Sequence, residues 1–370
     1  VGYASGLGAS LGVSVEATAG TESTGSMGFY EILDHSLQLV PTYLDSAGLK
    51  TGQGHKRGAR TQISRYDVNG DIQLEFFDRG TTAASGKGMG FWLKQMLGQV
   101  NVTQVTGSAY RQIAVPAART GLSFTTQVGM PQVDASGTVV PMTFRGCKIT
   151  QWEFSCSDGQ LAQLKLTIDG WTMTTGTSLV SPTFAGSGYQ AGIFSFVDVA
   201  PGNFTIGGTA STTAGATGET SIAGGATVGT VVKNFTLSGT TPLAQARYGF
   251  GNAGVKREQY ENGIPTITGT LEAEWTSRAE FFDPFVNNTS LPMQIKWTHY
   301  LNGLDANGVG GGTGANPYLL SFILPQIKIK TDPVKLNGPD LLSQTIGFEA
   351  YDDGSNPVVQ CKIVSQDQAI

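Results

Sequence analysis

The stretch Gly70-Asp71-Ile72-Gln73-Leu74-Glu75-Phe76 alternates strictly, with Ile72, Leu74 and Phe76 on one face and Asp71, Gln73 and Glu75 on the other. Side chains of a strand point alternately to opposite sides, so this pattern predicts a strand with one face in a core and one in water. The pattern returns at Gly269-Thr270-Leu271-Glu272-Ala273-Glu274-Trp275, where Leu271, Ala273 and Trp275 oppose Thr270, Glu272 and Glu274. Position by position the two stretches agree in polarity.

Their surroundings agree as well. After the first comes Phe91-Trp92-Leu93-Lys94-Gln95-Met96-Leu97, apolar at helical spacing and followed by Gly98 at a position suited to a helix end. After the second comes Glu280-Phe281-Phe282-Asp283-Pro284-Phe285-Val286, a shorter helix that tolerates Pro284 only in its first turn. Upstream, Ser36-Leu37-Gln38-Leu39 matches Asn234-Phe235-Thr236-Leu237, and downstream Leu164–Asp169 matches Gln344–Glu349. The order strand, loop, strand, helix, strands is written twice, which predicts an internal duplication: a first copy over 1–180 and a second over 181–370. Two Gly-rich stretches, 202–229 and 302–315, are too poor in apolar residues to form a core and are expected as surface insertions of the second copy.

Composition points the same way. Gly supplies 51 of the 370 residues and charged residues only 14%, against averages of about 7% and roughly 25%. Many short strands joined by Gly-rich turns fit this mixture, and a charge-poor surface fits a subunit covered by neighbours better than a free monomer. The net charge of −5 gives no basic field for tight nucleic-acid binding. Cys147, Cys156 and Cys361 follow no ligand spacing, and His35, His55 and His299 are scattered, so neither a disulfide framework nor a metal site is expected, and no cofactor. The first twenty residues lack a basic segment and no run of about 18 apolar residues exists, so neither a signal peptide nor a membrane anchor is expected.

Taken in order, several of these residues resemble the tail tube (major tail) proteins of long, flexible-tailed bacteriophages. The opening Gly6-Leu7-Gly8 … Gly12-Val13-Ser14-Val15-Glu16-Ala17-Thr18-Ala19-Gly20-Thr21 is similar to that family's N-terminal stretch. The Ser36–Leu39 strand, a basic loop from Lys50 to Arg65, the Val68–Glu75 strand and the helix ending Leu97-Gly98 follow in family order, and Phe194–Asp198 through Asp353 resembles the remainder. The resemblance implies β-sandwiches with one flanking helix each, stacked into rings whose inner sheets join into a continuous barrel around a DNA channel. With two copies in one chain, it implies rings of three subunits with pseudo-sixfold symmetry. Partners implied are further copies of the chain, tape-measure and tail-tip proteins, and double-stranded DNA that passes without specific binding. The implied location is the virion tail, with the host cytoplasm during assembly.

Two groups of residues are the candidate sites. Asp71, Glu75, Glu272 and Glu274 project from polar strand faces; they line a DNA channel and repel phosphate, or they are simply the wet face of a sheet. Lys50, Lys56, Arg57, Arg60 and Arg65, with His55, form the one basic cluster, and Arg247, Lys256 and Arg257 stand in the matching region of the second copy. These read as arms reaching the next ring, as solvated loops, or as a nucleic-acid patch weakened by the scarcity of stacking aromatics. No Ser/His/Asp, Cys/His or paired-carboxylate spacing supports an enzyme. A tube subunit is the first functional reading, and a β-rich capsid-decoration or receptor-binding virion protein is the alternative.

Overall fold

The computed structural model describes residues 6–48, 50–52, 54–77, 88–106, 109–132, 137–184, 192–214, 218–304, 310–312, 316–331 and 342–367. Much of the 302–315 stretch lies outside these residues. The chain is mainly β. In order come β1 (Ser10–Val15), β2 (Gly28–Tyr30), β3 (Asp34–His35), β4 (Gln38–Asp45), β5 (Thr61–Glu75), α1 (Met89–Leu97), β6 (Gly98–Thr106), β7 (Ala109–Pro116), β8 (Phe124–Pro131), β9 (Val139–Ser157), β10 (Gln163–Gly170) and β11 (Thr172–Thr174). Then follow β12 (Phe204–Ile206), β13 (Thr209–Thr212), β14 (Thr220–Ala223), β15 (Ala226–Thr227), β16 (Val232–Thr240), β17 (Thr266–Glu274), α2 (Phe282–Val286), β18 (Leu291–Leu304), β19 (Gly310–Gly312), β20 (Asn316–Ile329), β21 (Ser343–Ala350) and β22 (Gln360–Ser365).

The two alternating stretches fall in β5 and β17, and both lie in one long antiparallel sheet. Its order is β4–β5–β10–β9–β16–β17–β21–β20, with β3 continuing the β4 edge. Within this chain the sheet stays open and does not close into a barrel. Registers on either side of the two key strands correspond. Ile72 faces Leu166 and His35, while Leu271 faces Ile346 and Phe235. The downstream match is therefore in step as the sequence suggests, but the upstream match is displaced by two residues: His35, not Leu37, holds the place of Phe235. A two-residue slip keeps every side chain on its own face, so polarity alone cannot detect it.

The apolar faces of the long sheet are covered by two further sheet segments. One runs β2–β1–β8–β9–β11, using the first half of β9. The other runs β6–β7–β22–β20–β18–β12–β15. Strand β9 serves two sheets because it bends at Gly146, whose φ of +65° favours glycine and where any Cβ would fall 2.4 Å from the Trp171 ring. The 202–229 stretch is not wholly a surface insertion: β12 buries Phe204 and Ile206 in the second segment, and only β13 and β14 stand apart as a two-stranded hairpin.

Helix α1 begins two residues earlier than the apolar spacing suggests and ends at Gly98, φ +105°. It is almost entirely buried. Trp92 packs against Tyr30, Phe91 and Phe124 with centroids 5.2, 5.0 and 5.8 Å away. Helix α2 is a single short turn, with Pro284 near its start as expected.

The core does not divide at residue 180. Phe154 of β9 lies 5.0 Å from Trp297 and 4.9 Å from Phe322, and 5.5 Å from Phe76. Two ladders, β9 with β16 and β7 with β22, also join residues before and after that point. Cys147, Cys156 and Cys361 are buried and free; burial pushes the Cys156 thiol up to about 11, and the other two higher.

Candidate functional site: a polar sheet face and two arms

One face of the long sheet is polar from β5 to β17. Asp71, Gln73 and Glu75 of β5 stand beside Gln163, Lys165 and Thr167 of β10, then Gln151, Glu153 and Ser155 of β9. Thr236 and Ser238 of β16 and Thr268, Thr270, Glu272 and Glu274 of β17 continue it. All four acidic candidates thus share one surface, although the chain separates them by some two hundred residues. Two are partly neutralised. Lys165 lies 3.1 Å from Asp71, which also accepts the Thr167 hydroxyl at 2.7 Å, and Lys233 lies 3.6 Å from Glu274. Glu75 and Glu272 have no ion pair among the described residues. The surface is open to solvent, rich in hydroxyl and amide groups, and mildly acidic.

The basic candidates lie on two connections that behave differently. The first arm, 46–60, joins β4 to β5. Lys56, exposed over 78% of its side chain, pairs with Asp45 at 2.5 Å, and Thr61 donates to the same carboxylate at 2.9 Å. These hydrogen bonds hold the Asp45 carboxyl below its ordinary range. Arg60 reaches the Ser46 hydroxyl at 3.3 Å, while Lys50 is exposed and Arg57 half-buried, neither with an ion pair among the described residues. Tyr43, Leu44 and Ile63, at the base of this arm, are exposed too.

The second arm, 241–265, joins β16 to β17 and folds back over the first half of the chain. Lys256 is fully buried between Asp67 at 2.5 Å and Asp169 at 2.6 Å. Gln259 donates to Asp169 at 2.7 Å and accepts from the Trp171 indole at 2.9 Å. Lys148 of β9 meets Glu258 at 2.8 Å and donates to the carbonyls of Arg119 and Gln259. Arg119 in turn donates to the carbonyls of Met96 and Ile149 and lies 3.6 Å from Glu261. Burial raises the Asp169 carboxyl against the pull of Lys256. Burial also opposes ionisation of Glu258, yet hydrogen bonds from Lys148 and the Gly121 amide leave its carboxyl below the usual value.

Of the second-arm candidates, Lys256 is held inside its own chain and is not presented outward. Arg247 donates to the Glu258 carbonyl and stacks 4.1 Å from the Tyr260 ring, and Arg257 is exposed. Arg65 lies 4.8 Å from the Tyr248 ring, so the base of the first arm touches the second. The sequence alone gives no hint of Asp67, Lys148 and Asp169 as the receiving site, because their partners are close only in space. Glu16 is another buried acid, accepting from Gly20 N, Ser123 Oγ, Thr125 Oγ1 and Gly146 N at 2.7 to 2.9 Å. Its signal in sequence is its place in the N-terminal Gly…Glu…Gly-Thr stretch.

No helix among the described residues is long and apolar enough to cross a membrane. No curated protein matches the chain. The family of phage tail tube proteins matches residues 6–350, a span that includes the polar face, both arms and both halves of the long sheet. By that match this chain belongs to the phage tail tube protein family.

Proposed function

We propose that this chain is the wall subunit of a bacteriophage tail tube, polymerising into stacked rings that conduct the genome. The observation that carries the reading is the strand order of the long sheet. It reads as two sets of four, β4–β5–β10–β9 and β16–β17–β21–β20, joined where β9 pairs with β16. The covering segments follow suit, β2–β1–β8–β9 beside β15–β12–β18–β20. This supports two copies, 1–180 and 181–370, each a tail-tube sandwich, and the β9–β16 ladder is the template for a joint between subunits. Among the described residues β4 is paired by β5 alone, and β20 pairs only the Phe348–Ala350 end of β21. An open sheet edge invites another chain, and a ring satisfies every such edge.

Three chains joined in this way carry six copies around the axis. The polar face lines the channel, where Asp71, Glu75, Glu272 and Glu274 keep phosphate from adhering and double-stranded DNA passes without specific binding. Lys50, Lys56, Arg57, Arg60 and Arg65 contact other subunits. Tape-measure and tail-tip proteins are the further partners, the virion tail is the location, and assembly takes place in the host cytoplasm. The role is structural, with no catalysis assigned.

Electron microscopy of the purified chain at rising concentration, with light scattering for mass, tests this. Hollow tubes, formed alone or on added tail tips, are expected. A chain that stays monomeric even with tips, and instead coats preformed capsids, overturns it in favour of a decoration protein.

A further inference from the structure

The docking site of the second arm has a counterpart at the other end of the sheet. Lys148 faces Asp169 across the β9–β10 ladder, and Trp171 follows two residues on. In the same register Lys328 faces Glu349 across the β20–β21 ladder, and Tyr351 follows two residues on. The chain thus holds a lysine, an acid and an aromatic residue twice, in the same arrangement. The first set is sealed by the second arm: Lys256 on Asp169, Glu258 on Lys148 and Gln259 on Trp171, leaving the Asp169 side chain 6% exposed. Among the described residues the second set has no arm over it. Glu349 is 31% exposed, with Lys330 at 3.6 Å and the Tyr351 hydroxyl as its neighbours, and Ile264 beside β17 is 85% exposed.

The first arm carries the matching element. Gly254-Val255-Lys256-Arg257, which delivers the buried lysine, reappears as Gly54-His55-Lys56-Arg57. Lys56 cannot reach Glu349 of its own chain. The arm leaves the β4–β5 edge, and β21 lies five or six strands away, roughly 24–29 Å at about 4.8 Å per strand. The second arm instead leaves β16 and β17 and reaches back over the adjoining β9 and β10. If β4 of one chain adjoins β20 of the next, the first arm stands over β20 and β21 of that neighbour in the same relation.

We infer that the first arm docks sideways on a second copy of this chain within the ring, with Lys56 on Glu349 and Tyr351 of the neighbour. This rests on the tube reading and replaces contact with the next ring by contact around the same ring. Exposure and register support it: Lys56 and Glu349 are both open to solvent, each with one partner in its own chain, Asp45 and Lys330, and docking sets Lys56 on an acid as Lys256 is set on Asp169.

The test uses full-length tubes carrying Lys56→Cys and Glu349→Cys, treated with a short bismaleimide. The native cysteines are buried, so background coupling is low. The expected product is a covalent ladder that stops at the number of subunits in one ring, absent from either single variant. Tubes that form but do not couple overturn the inference, and so does a ladder that runs past one ring, which places the arm on the next. A wild-type chain that forms no tubes even on tail tips overturns the tube reading itself. As a second measurement, K56E and E349K are each expected to lower tube yield at least tenfold, and the double reversal to restore most of it. Unaltered assembly of both single reversals contradicts the pairing.

Discussion

Lys256, a residue of the second half of the chain, is completely buried between Asp67 and Asp169 of the first half, at 2.5 and 2.6 Å. Burying an ammonium group costs several kcal/mol unless partners surround it. Here two carboxylates do so, and Gln259 satisfies the remaining oxygen of Asp169. The pair therefore fixes where the second arm lies more than it adds to net stability.

Lys256→Met leaves two acids facing a buried site with no cation. The expected loss is about 3–5 kcal/mol, read as a lower urea midpoint. Trypsin is expected to cut the released arm at Arg247 or Arg257. The double change Lys256→Met with Asp169→Leu is expected to recover much of that loss, because the remaining Asp67 reaches water.

Glu258 gives a pH dependence with a definite sign. Its folded-state carboxyl lies below the ordinary 4.5, so its contribution is fully present above that value and is lost as pH falls through the folded value. Melting temperature measured from pH 6 down to pH 3 is expected to fall more steeply in wild type than in Glu258→Gln. Equal slopes remove Glu258 from the account.

Glu16 holds the N-terminal strand to the bend of β9 through four accepted hydrogen bonds, one of them from Gly146 N. Glu16→Ala strands these donors inside the protein and is expected to cost at least about 2 kcal/mol, hydrogen bonds to a charged group being worth about 1.5–3 each. Hydrogen exchange localises the effect: amides of β1 and of residues 143–147 are expected to lose protection first.

Phe154 tests whether the halves form one cooperative body. Its ring meets Trp297 and Phe322 of the second half and Phe76 of the first. Phe154→Ala is expected to cost about 3–5 kcal/mol and to shift a single unfolding transition. Two separated calorimetric transitions contradict a shared core.

The channel reading concerns charge alone. Glu75→Lys with Glu272→Lys leaves the apolar face untouched, so folding and assembly are expected to persist. DNA ejection from virions built on that subunit is expected to slow, and the slowing to weaken with added salt. Ejection at the wild-type rate places these residues away from the channel.

What was legible in the sequence was local. Strict alternation identified β5 and β17, and because a strand's period is two, it also placed Ile72 and Leu271 toward the core. Apolar spacing and Gly98 identified α1. The two-residue displacement of Leu37 against Phe235 was invisible because such a slip leaves polarity unchanged. The receiving site for Lys256 was invisible for another reason: Asp67 and Asp169 lie far from it in sequence, and a basic residue on a Gly-rich connection carries no mark of burial. Phe204 and Ile206 carry no mark of the core in sequence because their glycine- and threonine-rich surroundings dominate the composition of that stretch.

The central claim is that the long sheet continues from one subunit to the next with its polar face inward. Electron cryomicroscopy of the assembled tube, at a resolution that separates strands, measures this directly. The account predicts β4 of each subunit beside the β20–β21 end of its neighbour, with Asp71, Glu75, Glu272 and Glu274 facing the channel. A tube whose subunits meet elsewhere, or whose channel is lined by the covering segments, contradicts it.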